Sequence, residues 1–113
     1  MTAVRFVVTR PGDGSDIAEL AVEGEIDVSN VEEFGLGVAE CLQTRCRVLS
    51  MNMANLTFID SSGLRVIVET VKKMKEREGE LLITDPPAIL RRIVEVSGLS
   101  EFLGIADEGP ASV

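Results

Sequence analysis

The spacing of apolar residues changes several times along the chain, and each change predicts an element. Val4 to Thr9 reads as a short strand, "PGDGSD" at Pro11 to Asp16 as a turn, and Ile17 to Glu23 as a second strand, so the chain opens as a hairpin. Beyond "EID" the period lengthens. Val31, Phe34, Val38 and Leu42 fall at helical spacing, and Ser29 with Glu32 fits a capping box opening that helix, although Gly35 and Gly37 interrupt it. Arg47 to Met51 predicts a strand whose largely apolar "VLSM" suits burial on both faces, with a connector after it. The clearest helix follows: Leu64, Ile67, Val68, Val71 and Met74 recur on one side, with Arg65, Glu69, Lys72, Lys73 and Glu76 on the other. Gly79 is placed to end it. Leu81 to Thr84 predicts another strand, and Asp85-Pro86-Pro87 starts a helix carrying Ile89, Leu90, Ile93 and Val96 that Gly98 closes. Phe102 to Ile105 predicts an edge strand.

Strands alternating with helices after an initial hairpin imply an α/β domain. Its sheet is mixed but mainly parallel, joined by right-handed crossovers, with helices packed on it. With 113 residues, 45% of them hydrophobic, the chain has enough apolar material for one two-layer core. The expected domain covers residues 1–106, and "DEGPASV", residues 107–113, reads as a flexible C-terminal tail.

Charge narrows the partners. The net charge of −8 opposes sequence-independent attraction to nucleic acid or to an anionic membrane surface. No Lys or Arg occurs between Arg10 and Arg45, while Asp13, Asp16, Glu19, Glu23, Glu25, Asp27, Glu32, Glu33 and Glu40 all do, so one end of the molecule should carry a negative field. Cys41 and Cys46 lie in apolar surroundings with no His in the chain to complete a metal site, and read as buried thiols of a reducing compartment. The N-terminus lacks the pattern of a secretion signal and no apolar run approaches membrane-spanning length, which makes a cytoplasmic protein the expectation. The Lys72-Lys73-Lys75-Glu76-Arg77 run and Arg91-Arg92 read as solvated helix faces, and Met51 and Met53 as core.

One stretch stands apart. "FIDSSGL", Phe58 to Leu64, ends an apolar run on an acid and two hydroxyls before the amphipathic helix begins. In open α/β sheets such strand-to-helix loops are where ligands and partners meet the protein. Asp60, Ser61 and Ser62 are each able to cap the helix, but one cap needs one residue, and a spare hydroxyl is left at a helix end that favours an anion such as phosphate. Catalysis lacks support: a serine nucleophile needs a positioned base, the motif is neither a Gly-x-Ser-x-Gly elbow nor a phosphate-binding Gly-Lys loop, and Asp27 with Asp60 are too few carboxylates for a metal. Neither an enzyme nor a cofactor is expected.

The Asp60-Ser61-Ser62-Gly63-Leu64 motif ahead of an amphipathic helix, "GEID" at Gly24 to Asp27 upstream, and the closing "EVSGLSEFLGI" together resemble the STAS domain family. More narrowly, the chain is similar to the stand-alone bacterial anti-sigma factor antagonists, over most of its length. The resemblance implies that Ser61 is the phosphoacceptor of a partner that is both anti-sigma factor and serine kinase. Asp27, Asp60, Ser62 and Gly63 would then serve in recognising that partner. It also implies that the unphosphorylated form binds the anti-sigma factor and frees the sigma factor, and that a PP2C-type phosphatase resets the modified form. The chain would act as a monomer or weak homodimer without contacting nucleic acid or membrane itself. Asn52 stands where many relatives carry an acid, and the last family helix is shortened. The alternative within the same resemblance is a non-phosphorylated scaffold subunit of a lipid-transport or stress-sensing complex.

Overall fold

In the computed structural model, residues 4–9, 12 and 16–103 are described. Strand β1 (Val4–Thr9) pairs antiparallel with β2 (Ile17–Ile26), in register from Val4 with Gly24 to Thr9 with Glu19. Most of the expected turn between them, and the whole expected tail at 107–113, lie outside the described residues. β2 is followed by helix α1 (Val31–Gln43), then by β3 (Val48–Ile59), α2 (Ser61–Glu76), β4 (Glu80–Thr84), α3 (Ala88–Val96) and the one-turn α4 (Ser100–Leu103). The sheet order is β1-β2-β3-β4, and both inner pairings are parallel, as strands joined through helices must be.

The core forms where strand alternation meets helix periodicity. Ala18, Leu20 and Val22 on β2 are buried, with Glu19, Ala21 and Glu23 between them half-covered. Leu49, Met51 and Met53 continue the same layer on β3, beneath Leu64, Ile67, Val71 and Met74 of α2. Helix α1 adds Phe34, Val38 and Cys41, and the rings of Phe34 and Phe6 stack at 5.8 Å. Cys41 and Cys46 are buried thiols outside any disulfide, and Met51 and Met53 are core, as the sequence suggests.

Several local expectations are corrected. β3 continues through the supposed connector to Ile59, because its buried positions shift from Leu49, Met51 and Met53 to Leu56 and Ile59. The β2–β3 register slips between Ala21 and Glu23 and again between Gly24 and Glu25, and such irregularities break the two-residue alternation that identifies a strand in a sequence. Nor is β3 buried on both faces, since Val48 and Ser50 are only half-covered. The capping box is absent: α1 starts at Asn30 without a side-chain cap. Gly79 does not take the left-handed position that ends α2; Glu78 does, at φ 61°, with the Glu78 amide donating to Lys75 O and the Gly79 amide to Met74 O. Gly79 is small for another reason, because a Cβ there would lie 2.6 Å from Arg47 O. On α3 the buried residues are Leu90 and Val94, while Val96 is exposed. Phe102 and Leu103 belong to helix α4 rather than to an edge strand.

Candidate functional site

β2 and β3 end side by side, with Ile26 opposite Ile59 and the Asp60 amide donating to Ile26 O at 3.2 Å. Each strand is followed by an aspartate, and each aspartate folds its loop in the same way. Asp27 Oδ1 accepts from the Ser29 amide at 2.9 Å and from Ser29 Oγ at 2.5 Å. Asp60 Oδ1 accepts from the Ser62 amide at 2.9 Å and from Ser62 Oγ at 2.5 Å. "Ile-Asp-Val-Ser" and "Ile-Asp-Ser-Ser" are thus two copies of one hook on neighbouring parallel strands. Asn30 braces the first copy, accepting from the Asp27 amide at 3.0 Å and donating to Glu25 O at 2.8 Å.

The second hook opens α2. Asp60 is its N-cap and also accepts from the Gly63 amide at 3.4 Å, so the cap is the acid and neither serine. Ser62 is half-buried with its hydroxyl committed to Asp60. Ser61 is exposed, and its side chain makes no hydrogen bond to any described residue. The corresponding residue of the first hook is Val28, 76% exposed. Gly63 is buried under the loop, where a Cβ would lie 2.7 Å from Ile59 Cγ1 and 2.8 Å from Ile26 Cγ2. It seats the first turn of α2 directly on the two strand ends.

Ser61 opens into a groove of about 630 Å³ between the first turns of α1 and α2, lined also by Val31, Glu32, Gly35, Ser62, Arg65 and Val66. Val28 in the loop after β2, Leu36 on α1 and Phe58 near the end of β3 are large exposed apolar residues. Glu25, Asp27, Glu32 and Glu33 bring negative charge to the same end. Arg65 stands out among these residues. The amphipathic pattern places it simply on the solvated side of α2, whereas its spacing of one helical turn from Ser61 is the signal that sets it in the groove.

A primary alcohol projects from a rigid helix start, and the nearest acid is occupied in capping. No histidine exists in the chain to remove the proton. Among the described residues no group of three or more His, Cys, Asp and Glu could hold a metal, and no helix is long and apolar enough to cross a membrane.

Comparison with known proteins agrees with the architecture. The anti-sigma F factor antagonist of Paenibacillus polymyxa is 31% identical over 87 residues, covering 76% of this chain and 74% of that protein. The crystal structure of an anti-sigma factor antagonist from Mycobacterium paratuberculosis matches with a TM-score of 0.76 at 19% identity, over 88% of this chain and 82% of the other. The Bacillus cell fate determinant SpoIIAA, solved in its phosphorylated form, matches with a TM-score of 0.67 at 19% identity, over 86% of each chain. The model of the STAS domain matches residues 12–108, and with the paired strand-end hooks and the four-stranded mixed sheet in place, the chain belongs to the STAS domain family.

Proposed function

We propose that this chain is an anti-sigma factor antagonist switched by phosphorylation of Ser61. The observation that carries this reading is the contrast between the two serines: Ser62 is locked to Asp60, whereas Ser61 is exposed with an unengaged hydroxyl at the start of a rigid helix. The names of the relatives and the phosphorylated state of a structural neighbour support it. In this reading the unphosphorylated protein binds an anti-sigma factor in the cytoplasm and frees the sigma factor. The anti-sigma factor is also the kinase. Ser61 Oγ attacks the γ-phosphorus of ATP, a new O–P bond forms as the bond to the β-phosphate oxygen breaks, ADP departs, and the hydroxyl proton passes to a base on the kinase. Asp27, Asp60, Ser62 and Gly63 shape the surface the kinase reads, and a PP2C-type phosphatase hydrolyses the phosphoserine. The domain itself performs no catalysis.

Phosphorylation adds about −1.5 to −2 charges. At an interface built around a neutral hydroxyl and flanked by acids, the added dianion is desolvated and, wherever no cation meets it, costs several kcal/mol, against about 1.4 kcal/mol per tenfold in affinity. The expected result is loss of partner binding without refolding.

The test is a phosphopeptide map and co-purification of the protein from its own cells, with Ser61→Ala and Ser61→Asp alongside. Phosphate on Ser61, a kinase-like partner retained by Ser61→Ala and lost by Ser61→Asp, and native circular dichroism for both variants are expected. An unmodified Ser61 accompanied by transporter or sensor subunits would replace this reading with that of a scaffold subunit.

A further inference from the structure

The capping geometry raises a question about the modified protein. A phosphate on Ser61 would ordinarily draw on the free amides of the helix start. Here Asp60 has already taken the Ser62 and Gly63 amides, so a full negative charge stands where the phosphate would otherwise be received. Across the groove, α1 presents Glu32, another acid, and Asp27 follows the neighbouring strand end. Glu69 lies one further turn along α2. The helix start therefore repels a second anion more than its dipole alone would suggest.

One cation lines this groove, and it is Arg65. It sits four residues after Ser61 on the same helix face, where side chains are neighbours with Cβ atoms about 5–6 Å apart. It is exposed and, among the described residues, makes no hydrogen bond or ion pair. An anion preceding a cation by four residues is the favourable orientation on a helix, and the guanidinium fork matches two phosphate oxygens.

We propose that Arg65 is the internal counter-ion of phosphorylated Ser61, a positioning residue for the modified state that the unmodified protein leaves idle. This rests on the proposed phosphorylation of Ser61 and explains a difficulty in it. An acidic surface suits a basic partner, and a bare phosphate added to such a surface would strengthen the attraction. Drawn onto Arg65, the phosphate has its charge partly met from within its own helix and its bulk laid over the groove, so the modification obstructs the partner instead of recruiting it. Arg65 also holds the phosphate in its dianionic form.

The experiment installs phosphoserine at position 61 during translation, so that no kinase is needed, and follows the phosphorus resonance against pH in the wild-type background, in Arg65→Gln and in Arg65→Lys. A free phosphoserine has its second pKa at about 6. The neighbouring cation stabilises the dianion, so the midpoint in the wild-type background is expected about 0.2–0.4 of a pH unit below that of Arg65→Gln, with Arg65→Lys between them. The Nε–H resonance of Arg65 should move on phosphorylation in step with this titration. Circular dichroism of each variant checks that the fold is retained. Equal midpoints in the wild-type background and Arg65→Gln, with an unmoved Arg65 resonance, would overturn the assignment. Absence of phosphate on Ser61 in cells would instead remove the proposed function, while the titration of the installed phosphoserine stays readable.

Discussion

Two adjacent serines with the same side chain occupy different chemical situations, and the difference comes from one carboxylate. Asp60 takes up the Ser62 hydroxyl and two backbone amides, while Ser61 turns outward. Their thermodynamic roles should separate accordingly. Ser61→Ala is expected to change unfolding free energy by less than about 0.5 kcal/mol. Ser62→Ala should cost about 1 kcal/mol through its lost hydrogen bond, and Asp60→Ala about 1–2 kcal/mol through the lost cap. Gly63→Ala forces a methyl against Ile59 and Ile26 and should cost about 1–3 kcal/mol. Urea denaturation of the four variants checks the order; a Ser61→Ala protein as unstable as Asp60→Ala would show that the outward hydroxyl is structural. From the sequence, Asp60, Ser61 and Ser62 are equal candidates for the cap, because all three types supply an oxygen to helix amides. Backbone direction at the strand end decides among them, and that is a property of the fold. Gly63 is readable as part of a motif, but its reason, a helix turn resting on two isoleucines, exists only once β2 and β3 are paired.

At the scale of elements, legibility follows the regularity of the period. α2 is plain in the sequence because five apolar positions repeat over nearly its whole length, and four of those five are buried. β3 is only half legible, since the bulged pairing with β2 breaks its alternation after Met53. Asn52 shows what happens at that point. It forms the last pair of β3 with β4, opposite Thr84, and its Oδ1 accepts from the Ala54 amide at 3.0 Å, where the register with β2 slips. An acid at this position would accept the same hydrogen bond, so the asparagine is a departure in charge more than in structure. The end of α2 departs from its sequence signal for a comparable reason. The strongest stop signal, Gly79, is required by Arg47 O, and the left-handed turn falls on Glu78. A side chain there costs about 1–2 kcal/mol relative to its right-handed conformation, part of which glycine would return in unfolded-chain entropy. Glu78→Gly is therefore expected to stabilise the protein by about 0.5–1 kcal/mol, raising the melting temperature by several degrees. A lower melting temperature would mean that the Glu78 side chain makes a contribution outweighing its strain. The neighbouring Arg77 has a separate task, donating to Leu42 O at 2.9 Å and Cys46 O at 3.2 Å and so tying the end of α2 to the end of α1.

Across the whole molecule, β3 carries a different cleft at each end. At its C-terminal end stand Glu25, Asp27, Glu32, Glu33 and the Ser61 groove. At its N-terminal end Arg45, Arg47 and Arg77 line a separate cleft of about 570 Å³. The sequence shows the acidic excess, but its linear count overstates the field at the site. Glu19 and Glu23 alternate with the buried residues of β2, and Glu40 lies in the second half of α1, so only part of the acidic stretch reaches the motif. Under the proposed function, what remains would steer a basic partner toward this end, and steering is read in rates. Between low and physiological salt the Debye length falls from about 30 Å at 0.01 M to about 8 Å at 0.15 M, so charges at the rim of the site lose their reach while contacts already formed are screened far less. The association rate constant of the unphosphorylated protein with its anti-sigma partner is expected to fall steeply over that range, with the dissociation rate nearly unchanged. Glu32→Gln and Glu33→Gln together should reduce both the low-salt rate and its slope, whereas neutralising Glu19 and Glu23 should do neither to the same degree. Stopped-flow binding measures each of these directly. A rate constant indifferent to salt would mean that the partner meets this end through the exposed Val28, Leu36 and Phe58, and that the acids serve another purpose.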